Sequence, residues 1–207
     1  MVLGVAIILG AGLWYLQGAQ KPSTAEDDPA TGAHIIYGEA DAPVTIVEFS
    51  NYLCPHCKHH AEQSLPLIFK EYVDTGKVRY IFRDLPFPTQ TNVELAAQAA
   101  DCAYLQGKYY DYHELLFRAN GQWGRAQLEV LPKYFSDYAS QLGMKVDSFE
   151  RCLASGKTKD WVEADKAIAA KLNVNGTPSF FVNGKFVEGF RPFDKWKEII
   201  KEAINKK

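Results

Sequence analysis

Two of the four cysteines in this 207-residue chain are separated by two residues, in Cys54-Pro55-His56-Cys57. That spacing lets two sulfurs meet within one helical turn, and the chemistry it suits is thiol–disulfide exchange. A thiolate is both the attacking species and, when stabilised, the better leaving group, so a lowered pKa at the leading cysteine makes the pair more oxidising. Pro55 suits a first helical turn because its missing N–H is not needed there. His56, between the cysteines, is placed to add positive charge or a hydrogen-bond donor beside the Cys54 sulfur. Glu48 lies six residues before Cys54, on the same face if the intervening strand alternates regularly. Buried there, it would have a raised pKa and could take and return the Cys57 proton; exposed, it is an ordinary strand-end acid. Gly176-Thr177-Pro178 is a second signal, since a proline in a tight turn before a strand suits a cis peptide bond.

Other chemistries fit less well. Cys54, Cys57, His59 and His60 form a nominal zinc set, but structural zinc usually draws on two separated segments and no second CxxC is present, so no metal is expected. Covalent haem attachment needs histidine directly after the second cysteine, where Lys58 stands. His59 and His60 read as partly exposed helix residues, and His34 and His113 have no visible partner. Lys and Arg total 23 against 25 Asp and Glu, a balance that gives no electrostatic reason to expect nucleic acid.

The elements that must position these residues follow from periodicity. Val44 to Phe49 and Val78 to Phe82 are β-branched or aromatic runs that predict strands on either side of a helix beginning at Pro55, with a kink or break at Pro66. Residues 91–172 predict an all-helical block. Thr91 and Glu94 have capping-box spacing, Asp147 and Glu150 offer a further helix start, and Trp161, Ala164, Ile168 and Leu172 share one helix face. Ser179 to Val182 and Lys185 to Val187 predict a hairpin across Asn183-Gly184, followed by an amphipathic helix with Trp196, Ile199, Ile200, Ala203 and Ile204 on its apolar side. The fold class is therefore α/β, with a large helical insertion. Ahead of it, Met1 to Gln20 carries no charge and is just long enough to span a membrane, either as an anchor or as a signal segment. Residues 21–33 read as a flexible linker, so the folded domain is expected over 34–207.

Val47-Glu48-Phe49-Ser50 leading into Cys54-Pro55-His56-Cys57, the helical stretch Gln106-Gly107-Lys108-Tyr109-Tyr110-Asp111-Tyr112-His113, and Gly176-Thr177-Pro178-Ser179-Phe180-Phe181-Val182-Asn183-Gly184 occur in the order found in the thioredoxin fold. Within it they resemble the DsbA-like disulfide oxidases, closest to membrane-anchored bacterial forms. The resemblance implies that Cys54 is the exposed attacking cysteine and Cys57 the buried one. It implies no cofactor beyond that redox-active pair, and a cis-proline at Pro178 that, with Thr177, docks a substrate peptide as an added strand. It also implies reduced or unfolded protein substrates and re-oxidation by a membrane quinone-linked partner of the DsbB or VKOR-like kind. The catalytic domain is then extracytoplasmic and tethered by a single membrane pass. A reductase or isomerase on the same fold is the alternative. In an oxidising compartment Cys102 and Cys152, both in the helical block, suit a structural disulfide, with two buried free thiols as the alternative.

Overall fold

The computed structural model describes residues 28–206. The proposed anchor or signal segment lies outside them. Among the described residues no helix is long and apolar enough to cross a membrane.

Five strands form one mixed sheet: β1 (Ile35–Tyr37), β2 (Val44–Ser50), β3 (Val78–Asp84), β4 (Ser179–Val182) and β5 (Lys185–Glu188), in the order β1-β3-β2-β4-β5. Among the neighbouring pairs only β2–β3 is parallel, with Glu48 opposite Phe82 and Ser50 opposite Asp84. β1 was not foreseen from the sequence: three residues are too few to show alternation, and pairing with β3 defines it.

Alternation sorts the sheet residues into two cores. Val44, Ile46, Val78, Tyr80, Phe82, Phe180 and Val182 join the larger one, which also contains Cys57 and the apolar sides of most helices. Val47, Phe49, Ile81 and Phe181 join a smaller one on the opposite face. Period two therefore sends Glu48 and Ser50 to the Cys57 side.

After β2 the chain coils from Pro55 to Val73 as α1 (Pro55–His59), a π-helical stretch His60–Ser64, α2 (Leu65–Ile68) and a second π-helical stretch Phe69–Val73. The break expected at Pro66 is thus a widening. The Leu65 N–H reaches back five residues to the His60 carbonyl just before Pro66, and this absorbs the proline's missing donor. The insertion comprises α3 (Thr91–Tyr104), α4 (Tyr109–Arg118), α5 (Asn120–Trp123), a 3₁₀ turn, α6 (Leu131–Gln141), α7 (Val146–Ala154) and α8 (Lys159–Lys171). The terminal helix α9 (Phe193–Asn205) buries Trp196 and Ile200.

Three expectations need correction. The capping box at Thr91 does not form, because Thr91 is already helical and Gln90 precedes the helix. Likewise α7 begins at Val146, ahead of Asp147. On the face expected to be buried, Trp161, Ile168 and Leu172 pack partly buried against the cores but Ala164 is exposed, and the fully buried residues of α8 are Val162, Asp165 and Ala169. Asp165 replaces an apolar contact because it holds Arg83 and accepts the Asp84 N–H.

The same arginine corrects the domain boundary. Arg83, itself buried, donates through Nε to the Pro29 carbonyl at 2.7 Å and through a terminal nitrogen to the Thr31 carbonyl. Pro29 is buried, so the end of the expected linker is part of the folded domain.

Cys102 and Cys152 are joined in a disulfide linking α3 to α7 across a separation of 50 residues. Closing that loop contributes about 4 kcal/mol in the chain-entropy account. The Cys102→Ala/Cys152→Ala double variant is expected to lose a stability of that order in non-reducing denaturant titrations. An unchanged midpoint would contradict it.

Candidate active site

Delivery of Cys54 begins at the end of β2. Asn51 is buried and braces the turn: its Oδ1 accepts the Leu53 N–H at 3.0 Å, its Nδ2 donates to the Leu85 carbonyl at 2.9 Å, and its carbonyl accepts the Cys54 N–H. Cys54 then occupies the N-cap position of α1 with extended backbone, and no side chain caps that end. The free N–H groups of the first turn therefore point toward its sulfur. On the other side, residues 176–178 bring the Thr177 carbonyl to 3.2 Å from Cys54 Sγ, and the Thr177–Pro178 peptide bond is cis.

Both cysteines are free thiols in this structure, Cys54 partly exposed and Cys57 fully buried. Their environments push them in opposite directions. The Cys57 thiol, then Thr177 and the backbone N–H groups of Cys57 and His56, stabilise the Cys54 thiolate against partial burial and bring its pKa down to about 5. Burial, and next the neighbouring Cys54 sulfur, raise Cys57 well above the usual thiol range. At neutral pH the reduced pair thus holds one proton, on the interior sulfur.

His56 contributes through its backbone. Its ring is exposed and packs edge-on to His59, whose ring in turn faces Phe190. His60 is corrected outright: it is fully buried rather than partly exposed, and its Nε2 lies 3.0 Å from the Tyr80 hydroxyl. The four side chains of the nominal zinc set therefore do not converge. Among the described residues no cluster of three or more His, Cys, Asp or Glu is arranged to hold a metal. His34 and His113 have partners that the sequence did not reveal: His34 stacks on Trp161, and His113 Nδ1 is 3.0 Å from the Tyr52 hydroxyl.

Behind the cysteines, Glu48 is 1% exposed and accepts the Tyr80 O–H at 2.6 Å. Burial raises its pKa to about 7, against the opposing help of the Tyr80 and Ser50 hydroxyls. Burial also lowers His60 to about 3, so the imidazole is neutral, and its 3.8 Å approach to Glu48 is not an ion pair. Since Tyr80 has one proton and gives it to Glu48, the neutral His60 must donate from Nε2 to Tyr80. Tyr80 was legible only as a strand residue, and Ser50 only as part of the run leading into the cysteines. No spacing rule marks a tyrosine on the neighbouring strand as a carboxylate's partner.

The arrangement pairs a stabilised surface thiolate with a buried, protonated thiol and a carboxyl poised near neutrality, which is what reversible exchange between a dithiol and a disulfide requires. The comparisons agree. Residues 30–202 match the family model described as Thioredoxin. Disulfide bond formation protein D of Bacillus subtilis is 31% identical over 191 residues, covering 91% of this chain and 85% of that protein. The crystal structure of oxidised BdbD from Bacillus subtilis superposes with a TM-score of 0.70 at 30% identity, over 82% of this chain and 92% of that one. Wolbachia pipientis alpha-DsbA1 gives a TM-score of 0.73 at 27% identity, over 83% and 90% of the two chains. The chain belongs to the thioredoxin superfamily and, within it, to the DsbA-like thiol:disulfide oxidoreductases.

Proposed function

We propose that the oxidised chain donates its Cys54–Cys57 disulfide to reduced, unfolded proteins outside the cytoplasm. The observation that carries this reading is the stabilised Cys54 thiolate, because a sulfur that leaves readily as an anion favours the reduced form of the pair and so the oxidation of its substrate. A substrate thiolate attacks Cys54 Sγ, the Cys54–Cys57 bond breaks, and Cys57 departs and takes a proton. A second substrate thiolate then attacks the substrate sulfur of the mixed disulfide, and Cys54 leaves as the thiolate. Thr177 and cis-Pro178 flank the reacting sulfur and dock the substrate backbone as an added strand. No cofactor besides the cysteine pair enters this scheme. The apolar run from Met1 to Gln20 supports a membrane tether, which would keep the domain near a quinone-linked re-oxidase of the DsbB or VKOR-like kind.

The direct experiment adds stoichiometric oxidised chain to a reduced, unfolded protein and counts substrate disulfides formed. Cys54→Ala is expected to abolish transfer, and Cys57→Ala, which cannot form the internal disulfide that serves as the oxidant, is expected to donate none. Transfer that survives Cys54→Ala would overturn the assignment.

Glu48 is the group proposed to exchange its proton with Cys57, and its poise is testable through stability. Its folded pKa of about 7 lies above the reference value of 4.5, so between those pH values the folded chain holds more of this proton than the unfolded chain. The resulting stabilisation is complete below the unfolded value and is lost as pH rises through the folded one. Glu48→Gln removes this dependence. Its stability relative to the parent should rise across that window by a few kcal/mol, on the order of the pKa difference converted by linkage. A difference between the two chains that is flat in pH would show Glu48 to be unperturbed.

A further inference from the structure

Cys57 and Glu48 are both closed off from solvent, at 0% and 1% exposure, so a proton passing between them needs a group already inside. Ser50 is the residue placed to supply it. It ends β2 two positions after Glu48, and the alternation that sends Val44 and Ile46 into the core containing Cys57 sends Ser50 there as well. Its Oγ is buried and has no well-formed hydrogen bond in the resting pair. A buried hydroxyl without a partner costs stability, and it draws attention to what it faces. Strand alternation sets Ser50 two positions from Glu48 on the face turned toward the core that holds Cys57, and its hydroxyl also favours the ionised form of both groups. Tyr80, backed by His60, already engages Glu48 Oε2 from β3 and α1's continuation, leaving Ser50 as the hydroxyl on the Cys57 side.

We propose that the Ser50 hydroxyl relays the proton between Cys57 and Glu48, an assignment that rests on the exchange reading of Cys54 and Cys57. When a substrate thiolate attacks Cys54, the Sγ–Sγ bond breaks and its electron pair leaves on Cys57. The Ser50 O–H donates its proton to that sulfur while Oγ takes the proton of the Glu48 carboxyl. The products are a Cys57 thiol, an unchanged Ser50 and a Glu48 carboxylate. Re-oxidation runs the same steps backwards, with Glu48 recovering the proton as the Cys57 sulfur attacks. The hydrogen bonds of such a relay are open in the resting pair and close when charge develops on Cys57, as contacts of proton-transfer groups commonly do.

The test follows the reduced full chain reacting with oxidised glutathione, with acid quenching and mass analysis to separate two steps. Cys54 first captures glutathione, and Cys57 then expels it. The ratio of the second rate to the first is expected to fall at least ~100-fold in Ser50→Ala, the low end for losing a proton-transfer group. Ser50→Thr, which keeps a hydroxyl on the same Cβ, should restore the ratio, and Ser50→Ala should add nothing on a Glu48→Gln background. The relay is overturned by an unchanged ratio in Ser50→Ala, by an equal loss in Ser50→Thr, or by a full further loss on the Glu48→Gln background. If the parent never forms the glutathione adduct at Cys54, the exchange reading fails and takes the relay with it. An adduct that forms normally beside an unchanged ratio removes the relay alone.

Discussion

One sulfur must be stable as an anion while its neighbour, within the same helical turn, stays protonated. The helix start resolves this by depth. Cys54 caps α1, where the backbone N–H groups of His56 and Cys57 are unpaired and the Cys57 thiol can donate to it. Cys57 lies one turn inward, where burial and the adjacent sulfur both oppose its ionisation. Had Cys54 been buried as deeply, desolvation would have cancelled the stabilisation from the helix end. The cis Thr177–Pro178 segment completes the site by holding the Thr177 carbonyl against the exposed sulfur without covering it.

The remainder of the fold holds that junction still. β2 is the central strand, flanked by β3 and β4, and therefore cannot shift without breaking two ladders. Its alternation divides the interior, sending apolar residues to both cores and the polar pair Glu48 and Ser50 to the side of the cysteines. On the opposite side Arg83 ties β3 to α8 and to the Pro29 and Thr31 carbonyls. A buried guanidinium needs those acceptors, and removing one partner of such a buried pair typically costs several kcal/mol. Charge on that face is thereby compensated locally, away from the poised carboxyl at Glu48.

The sequence made the reacting atoms legible because their chemistry is tied to local spacing. Cys54 and Cys57 share a turn, Glu48 follows from strand periodicity, and Thr177-Pro178 precedes a recognisable hairpin. What stayed hidden depends on contacts between distant segments. His60 looks like one more polar helix residue until Tyr80 of β3 meets its Nε2 in the core. β1 is a strand only because β3 pairs with it, and Pro29 belongs to the domain only because Arg83 reaches it. The capping box at Thr91 shows the opposite failure, a good local pattern overruled when the helix began one residue early.

Stabilising the Cys54 thiolate is what makes this disulfide a donor. Equilibrating the chain with defined glutathione redox buffers, and quantifying the Cys54/Cys57 dithiol by mass separately from Cys102 and Cys152, measures this directly. A reduction potential well above about −180 mV, the value for protein disulfide isomerase, is expected. A potential near about −270 mV, that of thioredoxin, would make the chain a reductase and contradict it.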